Sequence, residues 1–464
     1  MKKGKKIVDF TNGPILGPMM KFMLPVLLAL LIQSLYGAVD LLIVGQFGAA
    51  YHVSGVSIGA NITHLFTALI TAIAMGTTIM LGQFIGEGRR KDAGDVIGTS
   101  IFTFIGVAII ATAILLIFAP NFLVLLRTPQ EALSEGTAYV RICAAGMIFI
   151  VAYNVIGSVF RGIGDSTTPL ITVAIACAVN IAGDLLLVGV FHMAAAGAAI
   201  ATIFAQAVSV VASLLIVRRR GMPFSFGKEN LKFNKVYFKR IFKLGLPLAA
   251  QEVIVSVSFM VVTAVANTLG LIESAACGVG GRLILFIMLV PSSFLQALSA
   301  VVAHNVGARK LKRAKRAMVH AIWTSLVFAA IMYFIAGMHG TWITRLFTTD
   351  PQVMEQAALY LSSYAIDTFL TSFLFCFIGY FNGCGRTTIT LIQGFVGVAI
   401  RIPMAFIMRS LPNTNLFFIG LATPISSVFQ VSLLVIYFFA INKKLKAQYD
   451  SEFNPALLNE IATD

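Results

Sequence analysis

Charge is what this chain has least of. Only 11% of its 464 residues are charged, whereas soluble domains run at about 25%, and 58% are hydrophobic, with a mean hydropathy of +0.90. So little charge excludes a soluble catalytic or sensing domain of any size and leaves an integral membrane protein. Negative charge is scarcer still: 19 acidic side chains stand against 34 basic ones, a net charge of +15. The basic residues sit in short runs between apolar segments rather than on a separate domain, so they speak for membrane orientation and not for a nucleic-acid partner. Cysteine is reduced to an odd five (Cys143, Cys177, Cys277, Cys376 and Cys384), in or beside apolar segments, and no disulfide framework follows. HExxH and GxxxxGK[ST] do not occur, which removes the usual footholds of zinc proteolysis and ATP hydrolysis. No enzymatic activity and no cofactor are expected.

What is present is long apolar runs. Cutting at charge clusters and at Gly, Pro and Asn punctuation yields twelve segments long enough to span a bilayer, among them 19–45, 137–160 as the fourth, and 416–441 as the last. The N-terminal MKKGKK looks like the start of a signal peptide, but the run behind it is too long and carries Asp40, so the first segment is expected to be retained. Basic residues occupy alternate loops: Lys2, Lys3, Lys5 and Lys6, then Arg89 to Lys91, Arg161, the stretch 218–243, 309–316, Arg386, and Lys443, Lys444 and Lys446 in the tail. The opposite loops offer little beyond Arg127, Arg345 and Arg409. The positive-inside rule then puts both termini in the cytoplasm of a multi-pass protein of the plasma (inner) membrane.

The two halves of the chain align at a shift of 221 to 222 residues, pairing Pro25 with Pro247, Gly48 with Gly270, Gly86 with Gly307, and FRGIGDSTT from Phe160 with FNGCGRTTI from Phe381. Segments six apart keep the same orientation, so the repeat is parallel. The expected fold is all-α: twelve transmembrane helices in two pseudosymmetric six-helix lobes with a cleft between them. The lobes are assigned to 1–217 and 244–442, joined by a basic linker at 218–243 and followed by a tail at 443–464.

Asp40 stands in the first apolar run, on one helical face with Gln33 and Tyr36. An ionisable group at membrane depth is costly and is by default a functional hypothesis. Asp40 lies eight residues before Gly48, Asp184 eight before His192 and Thr202 ten after it, so all three reach a similar depth, roughly 12 to 15 Å at about 1.5 Å per residue. Asn180 lies one turn deeper than Asp184. A small and polar stripe of Ala198, Thr202, Gln206, Ser209 and Ser213 lets the sixth segment approach its neighbours. This set suits a proton or a hard cation such as Na⁺, with no other metal expected. Asn61 and His64 reach the same half of the second segment, His64 read as a hydrogen-bonded structural residue.

The second half replaces this chemistry with Arg282, Asp367 and Arg401, where Asp367 is expected to pair with one or both arginines. Glu252, nine residues after Lys243, is a group that receives a cationic substrate or faces cytoplasmic water.

Taken together, VDLLIVGQFG, RGIGDSTTP, NIAGD, the GAAIAT run and GCGRTT resemble the multidrug and toxic compound extrusion (MATE) transporters, over almost the whole chain. The resemblance implies two rocking lobes in the lipid bilayer that export amphipathic drugs or organic cations against inward H⁺ or Na⁺; nothing in the sequence requires more than a monomer. It assigns the N-lobe cation site to Asp40, Asn180, Asp184 and Thr202. Family members with a C-lobe glutamate and aspartate place them about a turn from Glu252 and Asp367. A flippase for a lipid-linked precursor, from the same superfamily, is the alternative.

Overall fold

Inside a bilayer every backbone polar group must be satisfied within the chain, which leaves apolar runs of this length helical. The computed structural model describes residues 8–222, 224, 226–345 and 347–451, with side chains as far as residue 441. Lys2, Lys3, Lys5 and Lys6, the side chains of Lys443, Lys444 and Lys446, and the tail beyond residue 451 lie outside the described residues.

The helices are α1 (Leu16–Phe47), α2 (Ala50–Gly86), α3 (Arg90–Leu125), α4 (Gln130–Ala145), α5 (Met147–Gly162), α6 (Thr167–Asp184), α7 (Ala194–Arg220), α8 (Lys235–Asn267), α9 (Leu271–Gly307), α10 (Leu311–Met332), α11 (Gly340–Thr344), α12 (Pro351–Gly383), α13 (Thr387–Arg409), α14 (Leu416–Gly420) and α15 (Ala422–Ser451). Two π-helical stretches, Leu185–Val190 and Tyr333–Met338, extend α6 and α10. Among the described residues eleven helical spans are long and apolar enough to cross a membrane, and α4 with α5, bent by 58°, makes a twelfth when the pair is taken as one span. The fourth span is thus not the single segment expected over 137–160. At Gly146 the break accommodates Ile203 of α7, whose Cγ2 would stand 2.4 Å from a Cβ at that position. Only the missing side chain allows that approach.

The lobes are joined on the face that carries the basic loops. There α2 crosses α8 and α9 so closely that a Cβ on Gly76 would meet the Ile241 carbonyl oxygen at 2.4 Å, one on Gly86 the His304 carbonyl oxygen at 2.1 Å, and one on Gly307 the Gln83 carbonyl oxygen at 2.0 Å. Gln83 Nε2 also donates to the Gly383 carbonyl oxygen across the joint, at 3.1 Å.

Each half sends the first part of its leading helix into the other lobe. Met19, Phe22, Met23 and Val26 of α1 pack with Phe294, Leu298 and Val301 of α9, whereas Ile241, Leu244 and Leu248 of α8 pack with Ile79 and Phe84 of α2. Beyond the exchange each helix returns to its own lobe, with Ile43 and Val44 against Val56 and Tyr139, and Val262 and Val265 against Ala276 and Tyr360.

The segments preceding α1 and α8 act as straps. Asn230 Nδ2 donates to Asp95 Oδ1 at 2.8 Å, and Asn234 N to Thr99 Oγ1. In the other lobe Arg313 holds the N-terminal strap through the carbonyl oxygens of Phe10, Asn12, Gly13 and Pro14. Within that strap the Asn12 amide, with Thr11, holds the Asp9 carboxyl down to about 2. A carboxyl depressed in the folded state contributes stability above its ordinary value near 4 and loses it as pH falls towards 2, so the strap turn is intact at physiological pH. Arg313→Ala should release the strap and cost about 1–3 kcal/mol, the range for hydrogen bonds to a charged group. A melting curve reads this as a lower midpoint, and an unchanged midpoint would show the strap to be held by the Phe10 ring with Asn305 and Lys310.

Candidate cation site

Close contact between α6 and α7 builds the site. A Cβ on Gly183 would stand 3.0 Å from the Ala201 Cβ, and Ser209 Oγ donates to the Thr172 carbonyl oxygen at 3.0 Å. That register sets Asn180 and Asp184 beside Thr202, and α1 lays Asp40 against them. Thr202 Oγ1 donates to Asp40 Oδ2 at 3.4 Å, and Asn180 Nδ2 reaches Thr202 Oγ1 at 3.5 Å. The Asp184 carboxyl lies next to that of Asp40, close enough for the two to interact electrostatically. Asp40, Asn180 and Asp184 are buried.

The four residues first singled out by depth therefore come together. Asp184 is also the last α-helical residue before the π-helical stretch, a local irregularity often found at functional positions.

The cluster is short of donors. Asp40 Oδ1, Asn180 Oδ1 and both Asp184 oxygens are buried without a hydrogen-bond partner among the described residues. An unsatisfied buried acceptor costs about 1–3 kcal/mol and more when charged, and two adjacent carboxylates cannot both remain bare. A proton shared between them, or a hard cation taking their oxygens, satisfies the set.

The accessory residues divide. Tyr36 lies near Gln33, Gln206 and Asp40, so these three extend the polar stripe from the cluster. Asn61 and His64 are exposed and stand apart from it. His64 has no hydrogen bond among the described residues, contrary to the structural role expected of it, because its face of α2 is open rather than packed. Tyr139 was not anticipated. Its buried ring packs against Gly59, and its hydroxyl is in contact with Thr202. It lies nine residues into α4, so counting depth along that helix as along the others would have found it. Tyr139→Phe should weaken binding of the coupling ion by about threefold to tenfold, the worth of one hydrogen bond. The midpoint of ion-dependent transport measures this, and an unmoved midpoint would place the hydroxyl outside the site.

Comparison with known proteins now decides the family. The profile described as MatE matches residues 25–186 and 247–407, one copy for each half. This chain belongs to the MatE family. The two matches begin at Pro25 and Pro247, the prolines that open the internal repeat. Among its relatives are the probable multidrug resistance protein YoeA of Bacillus subtilis (strain 168), 27% identical with 90% of this chain and 91% of the relative covered. Another is the multidrug export protein MepA of Staphylococcus haemolyticus (strain JCSC1435), 24% identical with 88% and 90% covered. A MATE crystal structure in the bent conformation superposes with a TM-score of 0.90 at 18% identity, covering 97% of this chain and all of that one. The family consists of transporters, and this MatE chain is not an enzyme.

The repeat of this MatE protein places a counterpart of the site in the second lobe. At the shift of 221 to 222, Gly59 and Tyr139 correspond to Gly280 and Tyr360, Thr202 to Thr423, Tyr36 to Ser258 and Asn180 to Arg401. The packing repeats too, since a Cβ on Gly280 would meet the Tyr360 ring at 2.7 Å as one on Gly59 meets the Tyr139 ring at 2.9 Å. The chemistry does not. Arg401 Nη1 donates to Ser258 Oγ at 2.7 Å, and its guanidinium lies 4.4 Å above the Phe259 ring.

The expected pairing of Asp367 with arginine is not formed: no ion pair joins them among the described residues. Asp367 lies instead beside Ser427 on α15, whereas Arg401 on α13 turns to α8. Tyr364, bonded to Thr423 at 3.1 Å and Tyr360 at 3.4 Å, lies near both charges. Arg282 is exposed and joins neither, and Glu252 is exposed on α8. In the second lobe a fixed guanidinium thus stands where the first has an amide beside two acids.

Proposed function

We propose that this protein is a secondary active antiporter that exports amphipathic or cationic drugs from the cytoplasm, driven by inward movement of H⁺ or Na⁺. The observation that carries this reading is the set of buried acceptor oxygens of Asp40, Asn180 and Asp184 left without donors. The printed names of relatives, multidrug resistance and multidrug export, supply the substrate class.

In this reading the lobes, 1–217 and 244–442, rock about the linker 218–243 in the plasma (inner) membrane of a bacterium, with both termini cytoplasmic and the monomer as the working unit. The glycine-mediated joints at Gly86 and Gly307 then close the cytoplasmic side, and the described state is the outward-open one. Binding of a proton or cation to the Asp40 and Asp184 pair removes buried negative charge and favours a different lobe packing. Coupling follows because the ion has unequal affinity for the two packings. Exposed Glu252 would receive the positive end of a drug from the cleft.

A lipid-linked precursor flippase would need cations turned into the cleft at membrane depth to carry phosphate across. Arg401 is instead turned into Ser258 and Phe259, which favours drug export. Purified protein in sealed vesicles, loaded with a fluorescent organic cation, tests the proposal under a proton gradient alone and a sodium gradient alone. Flux driven by one of them is the expected result, and flux with neither would overturn it.

A further inference from the structure

A cavity of about 450 Å³ opens where the lobes meet on the basic face. It is walled by Gln83 of α2, by Lys239, Arg240 and Lys243 of α8, and by Thr387 and Thr388 at the start of α13. No acidic side chain is among its described lining. Lys239 and Lys243 are exposed, and neither has a carboxylate in ion-pair range among the described residues. Arg240 is held in place, donating through Nη2 to Gln83 Oε1 at 2.7 Å with its guanidinium 5.3 Å from the Phe84 ring centroid. Helix α13 begins without a side-chain cap, so its first-turn amides add donors and the positive end of a helix dipole.

The internal repeat provides a control. At the shift of 222, Lys239 corresponds to Gly17, Arg240 to Pro18 and Lys243 to Lys21. The threefold charge is therefore concentrated at one of two equivalent places, which a general bias of basic residues towards this face does not produce.

We propose that this cavity binds a phosphate group, carried by an anionic lipid headgroup or by a soluble phosphate, and that the bound anion holds the basic face closed. Three cations, two hydroxyls and free helix amides converging on one space match the tetrahedral acceptor oxygens of phosphate. The walls come from both sides of the joint: Gln83 belongs to the first lobe and Thr387 and Thr388 to the second. A ligand bridging them binds only the state in which they face each other, and so stabilises it.

Melting in detergent micelles, followed by reaction of the buried Cys143, Cys277 and Cys376 with a thiol-reactive dye, tests this independently of transport. Phosphatidylglycerol should raise the midpoint by several degrees over phosphatidylcholine, and the Lys239→Gln, Lys243→Gln double variant should lose most of that rise. Lys232→Gln with Lys235→Gln, on the same face outside the cavity, should keep it. A rise with inorganic phosphate alone assigns a soluble anion, and a rise with the lipid alone assigns a headgroup. No rise with either, or an equal loss in the control pair, would overturn the site. Spin labels across the basic face should show the lobes drawn together by the effective anion, and an unchanged distance distribution would overturn the closure.

Discussion

Replacing Asp40 by asparagine should abolish gradient-driven drug export while the protein still folds and reaches the membrane. Asparagine keeps the shape and can still accept from Thr202, which approaches Asp40 Oδ2 at 3.4 Å, but it neither binds a proton nor contributes charge to a cation. Its amide also offers a donor to Asp184, whose two oxygens have no partner among the described residues, so the variant should melt no lower than the parent. One ion falling through about 100 mV releases roughly 2.3 kcal/mol, which in one-for-one exchange with an uncharged drug sustains a gradient of roughly 50-fold at the thermal energy of 25 °C. Asp40→Asn vesicles should therefore lose that gradient and retain only passive equilibration. Asp184→Asn should behave alike, because the pair acts as one acceptor set. Undiminished accumulation in Asp40→Asn would remove the carboxylate from the coupling.

Gly307→Val should shift the protein away from the described state. A Cβ at Gly307 would stand 2.0 Å from the Gln83 carbonyl oxygen and 2.9 Å from its Cα, backbone atoms that cannot swing aside. Overpacking of this kind costs about 1–3 kcal/mol. Applied to one of two lobe packings, that changes their ratio by about 5- to 150-fold. Spin-label distances across the basic face should lengthen, and transport should fall sharply even though no residue of the cation site has been touched. Gly86→Val, its equivalent in the first half, should do the same through the His304 carbonyl oxygen. If either variant kept both the distances and the flux, the glycine joint would not be the closing element.

The polar cluster of the first lobe was legible to an unusual extent because lipid restricts what an acid can do. A carboxylate in an apolar run has no bulk water to face, and a helix advances by a fixed rise. Counting from the loops therefore put Asp40, Asp184 and Thr202 at one level before any packing was known. The same counting was silent about direction around the bundle. His64 and Asn61 reach that level too, yet stand on an open face of α2, whereas Tyr139 at equal depth turns into the cluster. Asp367 and Arg401 have opposite charges in one lobe, but they sit on helix faces turned to different neighbours, Ser427 for one and Ser258 for the other.

By itself the sequence determined the helical class, the span count and the parallel repeat, because each follows from hydrophobic length and from similarity along the chain. It also determined which polar groups share a depth. The tertiary structure alone decided that α1 and α8 exchange their leading halves, that the fourth span breaks at Gly146 where Ile203 packs, and that Arg401 bonds to Ser258 rather than to Asp367. Those outcomes depend on which helices meet and at what rotation. Such choices are set by close packing between residues far apart in the chain, and neither hydropathy nor periodicity within one helix encodes them.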